Sequence, residues 1–246
     1  MAIDIDIKRA FYGRREILKN ISFAPTDSSF TAVIGRNGSG KSTLISTISG
    51  LAQYEGRVTI EGEDIKLCDR KKLATRISLV PQELRRPHIT VEELVSYGRR
   101  PFLKLGEGPR DIDRELISKA MSDADLYDIG DKYLDMISGG ELRRAYFGMM
   151  LAQDTGVVLL DEATAFMDAD FERRFIGMQR ELAMTKTVIT VMHNLSLALS
   201  SADNILLLDN GEQIFFGSPE ELLSTDLVEK TFSVKRYSSD GKIFFA

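Results

Sequence analysis

Residues 30–43 constrain the fold of this chain more than any other stretch. Phe30–Ile34 reads as a strand buried on both faces, and it runs without a linker into Gly35-Arg36-Asn37-Gly38-Ser39-Gly40-Lys41-Ser42-Thr43. Beyond the loop, Leu44, Ile45, Ile48 and Leu51 fall on one face of a helix. A strand, a loop of the pattern G-x-x-x-x-G-K-[ST] and a helix, in that order, point to a parallel sheet with helical crossovers. The glycines let the loop turn backbone N–H groups inward in conformations that a Cβ would block, and the helix N-terminus adds about +0.5 of an elementary charge. Such a cradle suits phosphate oxygens. Lys41 would reach β- and γ-phosphates, and the Ser42 hydroxyl would complete a Mg²⁺ shell.

Ile77–Val80, Val157–Leu160, Thr187–Met192 and Ile205–Leu208 are further strands of the same buried kind. Between them lie helix-period stretches such as Leu142, Ala145, Met149 and Ala152. The alternation predicts an α/β fold, a P-loop NTPase core with a parallel sheet. Near the N-terminus Ile3, Ile5 and Ile7 alternate with acids and Lys8, and Val58 and Ile60 repeat that period. An antiparallel β layer is expected there. In open α/β sheets ligands sit at the carboxyl ends of strands. Val157–Leu160 ends in Asp161-Glu162, a hard-oxygen pair in which Asp161 suits the metal and Glu162 suits a water, as general base or orienting group. Ile77–Val80 ends in Pro81-Gln82 and Thr187–Met192 in His193. Gln82 could touch metal or water, and His193 the γ-phosphate. Any one of these is an ordinary polar strand terminus, but four ends converge on one chemistry. The phosphate loop alone leaves kinases, GTPases and motor ATPases all open; the other strand ends are what discriminate.

Composition narrows the setting. With 32 basic against 37 acidic side chains the net charge is −5, which gives no support to nucleic acid as a partner. Cys68 is the single cysteine, so no intramolecular disulfide can form. Asp4 and Asp6 stand where a signal peptide would carry a cationic start, and the longest apolar runs fall far short of the ~20 residues of a membrane span. A reducing, cytosolic chain is expected. Residues 81–151 separate two presumed strands by far more than the dozen or so residues a crossover needs. Pro81, Pro87, Pro101 and Pro109 lie in its first half, and from about Asp111 it reads as helical. The expected division is therefore an α/β core at 1–86 and 153–246 with an inserted helical subdomain at 87–152.

Ile137-Ser138-Gly139-Gly140-Glu141 opens the helix that carries Leu142 to Ala152 and precedes Asp161-Glu162. In that order after the phosphate loop, the chain resembles the ATP-binding subunits of ABC transporters over essentially its whole length. The resemblance implies ATP and Mg²⁺ as ligands, Gly35–Thr43 as Walker A, Gln82 as the Q-loop glutamine and Ile137–Glu141 as the signature. It further implies Val157–Asp161 as Walker B, Glu162 as the catalytic glutamate, Ala165–Asp168 as the D-loop with its Asp168, and His193 as the switch histidine. Tyr12 would be the aromatic that stacks on adenine. Mg²⁺ would meet Ser42, Gln82 and Asp161.

Physically, Ser138, Gly139 and Gly140 form a second glycine-rich helix N-terminus without a lysine, a half-site that suits ATP bound to another copy. The family's arrangement is a head-to-tail homodimer on two integral membrane permease subunits, served by an extracellular or periplasmic solute-binding protein. It places the chain peripherally at the cytoplasmic face of the bacterial membrane. Thr90–Val95 followed by Gly98–Phe102, and Thr164–Asp168, are similar to the iron-siderophore, haem and cobalamin importers. Arg85, Arg86, Arg99, Arg100 and Lys104 are then either a solvated face or the surroundings of a groove for the membrane subunit. Glu141, Ala163 and Asn194 depart from the commoner glutamine, proline and aspartate. Rival readings are a soluble ABC ATPase of DNA repair or translation, an exporter subunit, and a small-molecule kinase, which leaves both the signature and Glu162 unexplained.

Overall fold

The computed structural model describes residues 1–104, 106–162, 169–239 and 242–245. In chain order the elements are β1 (Ile3–Tyr12), β2 (Arg15–Phe23), β3 (Phe30–Gly35), α1 (Lys41–Ile48), β4 (Gln53–Ile60), β5 (Glu63–Asp64), α2 (Arg70–Ala74) and β6 (Ile77–Val80). Three helices follow, α3 (Val91–Tyr97), α4 (Asp111–Asp123) and α5 (Gly139–Gln153), then β7 (Val157–Leu160), α6 (Ala169–Ala183), β8 (Thr187–Val191) and α7 (Leu195–Ser201). The chain closes with β9 (Asn204–Asp209), β10 (Glu212–Gly217), α8 (Pro219–Leu223), α9 (Leu227–Phe232) and the hairpin β11 (Arg236–Ser239) and β12 (Lys242–Phe245).

Among the described residues ten strands form one sheet, in the order β5-β4-β1-β2-β10-β9-β3-β8-β7-β6. The four strands of the N-terminal half pair antiparallel, β1 with both β2 and β4, and β4 with β5. From β9 through β3, β8 and β7 to β6 the pairing is parallel. The two halves meet where β10 lies parallel to β2 at Glu212 and Lys19. β3, β7 and β8 are buried along their whole length, as strands covered on both faces must be, whereas β1 alternates buried and exposed over Ile3–Lys8.

Two cores flank the parallel strands. In one, Leu44, Ile45 and Ile48 of α1 pack between Ile5, Ile7 and Ile21 of the antiparallel half and Val33, Leu159 and Ile189 of the parallel half. That packing fixes the helix and with it the loop that precedes it. The helix is shorter than its apolar period predicts: it ends at Ile48, Gly50 turns left-handed at φ +73°, and Leu51 is 68% exposed. The other core joins the opposite sheet face to α3, α4 and α5. Helix α5 is buried at Leu142, Arg143, Ala145, Phe147, Gly148, Met150 and Ala152, nearly all round, because it has neighbours on both sides.

Of the five cations expected to form a solvated face or a partner groove, two are structural. Arg99 is 5% exposed, its Nε 2.9 Å from Oδ1 of the fully buried Asp113, and it donates to the carbonyls of Ala152 and Gln153 at the end of α5. Those are helix-end carbonyls that otherwise lack partners, and a cation there also meets the negative end of the helix dipole. Arg86 stays exposed but donates to Leu134 O and Ile137 O, in the segment ahead of α5.

Asp113 is held well below the usual carboxylate range, first by the Arg110 guanidinium and also by Arg99. A depressed folded pKa contributes stability above the unfolded value of about 3.9, and that stability is lost as pH falls through the lower folded value. Asp113→Asn would leave a buried, uncompensated Arg99. It is expected to cost about 3–5 kcal/mol in urea unfolding at neutral pH, with a shallower loss on acidification than the wild type.

Candidate active site

Four adjacent parallel strands end side by side: β3 in the loop, β8 before His193, β7 in Asp161-Glu162, and β6 before Gln82. Their termini open on a cleft of about 550 Å³ lined by Tyr12, Asn37, Gly38, Gly40, Lys41, Ser42, Thr43, Gln82, Glu162 and His193. Arg15 and Ile17 of β2 line it too, and nothing in the sequence pattern marks them. Tyr12, at the end of β1, is 80% exposed, an aromatic face without a covering side chain of its own size.

The loop is tight where glycine is required. A Cβ at Gly35 would lie 2.3 Å from Leu208 O and 2.6 Å from Ser39 Oγ, and Gly40, at φ +98°, would press on Leu18 Cδ2 at 2.4 Å. Gly40 is the N-cap of α1 and offers no side chain to that helix end. The amides of Gly38, Gly40, Lys41, Ser42 and Thr43 accordingly donate to no carbonyl of the described residues, and they are available to an anion. Lys41 Nζ folds back on the loop, 2.8 Å from Gly35 O and 3.0 Å from Arg36 O. Burial pushes its pKa down, while the charges of Glu162 and Asp161 oppose the shift. A polyphosphate would give that buried cation stronger acceptors than two carbonyls.

On the facing side Ser42 Oγ donates to Asp161 Oδ1 at 3.1 Å and lies 3.4 Å from Gln82 Oε1. Burial raises the Asp161 pKa, against the hydrogen bond from Ser42. A hydroxyl, a carboxylate and an amide oxygen within reach of each other are the hard donors Mg²⁺ takes alongside phosphate oxygens, so this donor set fits that ion. Glu162 sits at φ +50°, a left-handed conformation that a non-glycine residue keeps only where its surroundings impose it. Gln82 Nε2 donates to its Oε2 at 2.7 Å, His193 Nε2 lies 2.7 Å from its Oε1, and Arg143 Nη1 donates to its backbone carbonyl at 3.1 Å. The carboxylate is thereby aimed into the cleft between histidine and glutamine.

Ser138–Glu141 do not line this cleft. Ser138 caps α5: its Oγ accepts from Glu141 N at 3.2 Å, and Glu141 Oε2 accepts from Ser138 N at 2.8 Å. The hydrogen bond from the Ser138 amide also holds Glu141 below its ordinary pKa. The acidic residue in place of the common glutamine is thus engaged with its own helix end, where a negative charge is favourable. A Cβ at Gly139 or Gly140 would meet nothing within 4 Å. Asn194, the other departure, caps α7 by accepting from Leu197 N at 3.0 Å, which an aspartate would do equally well. Ala163 and the expected D-loop, Ala165–Asp168, lie outside the described residues. Arg143 is the contact that sequence reasoning missed: the period of Leu142, Ala145, Met149 and Ala152 places it off the apolar stripe, yet α5 is buried there as well.

Known proteins give the same picture. Residues 18–165 match the family described as ABC transporter. The ferric enterobactin transport ATP-binding protein FepC of Escherichia coli is 36% identical over 228 residues, covering 91% of this chain and 84% of the relative. The petrobactin import ATP-binding protein YclP of Bacillus subtilis is 35% identical over 228 residues, covering 91% and 89%. A bacterial Atm1-family ABC exporter solved with ATP bound superposes with a TM-score of 0.77 at 29% identity, over 94% of this chain and 41% of the exporter chain. An inward-facing ABC transporter described as metal-chelate type shares the fold, with a TM-score of 0.82 at 20% identity over 99% of this chain and 95% of that one. With the family match spanning more than half its length and its strand ends gathered around the phosphate loop, the chain belongs to the ABC transporter family.

Proposed function

We propose that this chain is the ATP-hydrolysing subunit of an importer for iron(III)–siderophore complexes, working as a homodimer on two membrane-embedded permease subunits. The convergence of Lys41, Ser42, Gln82, Asp161, Glu162 and His193 on one cleft supports the hydrolytic part. Import of ferric siderophores rests on relatives named for enterobactin and petrobactin transport. No described helix is long and apolar enough to cross a membrane, so the passage for cargo would have to come from other subunits. The helical segment 87–152 would be the arm that meets them.

In this reading ATP lies with its adenine on Tyr12 and its phosphates in the loop. Lys41 exchanges the Gly35 and Arg36 carbonyls for phosphate oxygens. Ser42, Asp161 and Gln82 would hold Mg²⁺, which would neutralise phosphate charge as it develops. Glu162 orients a water in line with the γ-phosphorus and takes its proton as the oxygen attacks. The bond from the γ-phosphorus to the bridging oxygen breaks, leaving ADP and inorganic phosphate. His193 holds the Glu162 carboxylate and faces the γ-phosphate. Ser138–Gly140 would close on the nucleotide of the second copy.

Cells that depend on this chain are expected to accumulate a labelled iron(III)–siderophore when it is present and to lose that uptake when it is deleted or carries Lys41→Ala. Unchanged uptake in both strains would reject the cargo. Efflux of a labelled substrate that depends on the chain would instead favour export, the direction of the Atm1-family neighbour.

A further inference from the structure

The helix that carries the signature also touches the backbone of the residue assigned to water. Arg143 lies on α5 five residues beyond Ser138, is 8% exposed, and donates from Nη1 to the carbonyl of Glu162 at 3.1 Å. That carbonyl belongs to the one residue of the cleft that holds a left-handed conformation without being glycine, at φ +50°. Burying a guanidinium is costly unless it makes a hydrogen bond that repays the lost water. Burial indeed pushes the Arg143 pKa down, with the Glu162 charge opposing the shift. The side-chain contacts from Gln82 and His193 fix where the Glu162 carboxylate points, but only Arg143 among these three reaches its main chain.

We propose that Arg143 is a positioning residue that holds the Glu162 backbone in its strained conformation and links it rigidly to the N-terminus of α5 at Ser138. The proposal rests on the reading of Glu162 as the base. An α-helix transmits displacement along its axis, so whatever draws Ser138–Gly140 onto a nucleotide also moves the Arg143 guanidinium. In a head-to-tail pair, Ser138 of one copy faces the nucleotide of the other, while Glu162 of the same copy faces its own. Arg143 therefore couples the two clefts: closure over one nucleotide adjusts the base at the other.

Arg143→Met keeps the buried stem and removes the donor. It is expected to lower kcat by on the order of 10²-fold, the cost of a misplaced reacting group, with ATP binding unchanged and a Hill coefficient for ATP reduced toward one. Arg143→Lys retains an N–H donor and is expected to recover most of kcat and cooperativity. A wild-type kcat in Arg143→Met would overturn the proposal, as would a loss confined to ATP affinity or a folded Lys variant as impaired as Met. If Arg143→Met does not fold, Arg143→Gln and Arg143→Lys decide it: both keep a donor, and a folded, ATP-binding but inactive pair rejects the backbone role. Glu162→Gln measured alongside separates the two levels. Full turnover there removes the base itself, whereas an inactive Glu162→Gln beside a wild-type Arg143→Met removes Arg143 alone.

Discussion

Glu162→Gln is expected to bind ATP as the wild type does while its turnover falls by about 10²- to 10⁴-fold, the usual contribution of a positioned general base. The substitution is isosteric, so the left-handed backbone at φ +50° and the bond from Arg143 to the carbonyl persist. An amide has one acceptor oxygen where the carboxylate has two, and it cannot take a proton from water at neutral pH. Neither change touches Lys41, Ser42 or the free loop amides that would hold the phosphates. With ATP bound and not consumed, the closed pair should accumulate and elute as a dimer in gel filtration with ATP, and as a monomer without it. Phosphate release and equilibrium nucleotide binding, measured on the same preparation, check both halves. Hydrolysis near the wild-type rate would remove Glu162 from its assigned role.

Much of this architecture was legible because its strongest signals are local. Phe30–Ile34, Ile77–Val80 and Val157–Leu160 read as strands since a strand covered on both faces needs a short, mostly apolar run rich in β-branched residues, and each is a parallel strand at the stated place. What a strand delivers at its end follows from chain order, so Gln82, Asp161, Glu162 and His193 could be named before their distances were known. The signals that failed depend on packing between segments distant in sequence. Leu51 continues the apolar period of α1 by type, but the left-handed Gly50 takes the chain out of the helix. Arg99 reads as a surface cation, and only the return of α4 and the end of α5 beside it make it the partner of Asp113. Arg143 was invisible for the related reason that a helix packed against the sheet as well as against α3 and α4 has no solvent face at that position. The β11–β12 hairpin gave no signal, because β11, Arg236-Tyr237-Ser238-Ser239, has neither an apolar run nor an alternating period.

Two inactive chains are expected to restore each other, and this tests the shared-site arrangement more sharply than any single variant. Lys41→Ala removes the cation of the phosphate loop and leaves the signature intact. Gly139→Asp does the reverse. A Cβ at Gly139 meets nothing within 4 Å, and an acid in the first turn of α5 suits the helix dipole, so the fold should tolerate it. Its carboxylate would nevertheless stand where Ser138 and Gly140 are to meet a γ-phosphate. Two like charges about 4 Å apart at a partly shielded protein surface cost about 4 kcal/mol, close to 10³-fold in turnover. Each variant alone should therefore be nearly inactive. Mixed in equal amounts, about half the dimers pair one of each, and every such dimer holds one site with an intact loop and an intact signature, so up to about a quarter of wild-type turnover should return, the shortfall measuring how far one cleft depends on closure of the other. Recovery should grow with total protein concentration, because the intact site exists only in the pair. If Gly139→Asp alone hydrolyses at the wild-type rate, each cleft works without its neighbour. If the mixture stays inactive at concentrations where Glu162→Gln forms a dimer, the intact loop and intact signature do not meet across the two copies, and Ser138 has some other role.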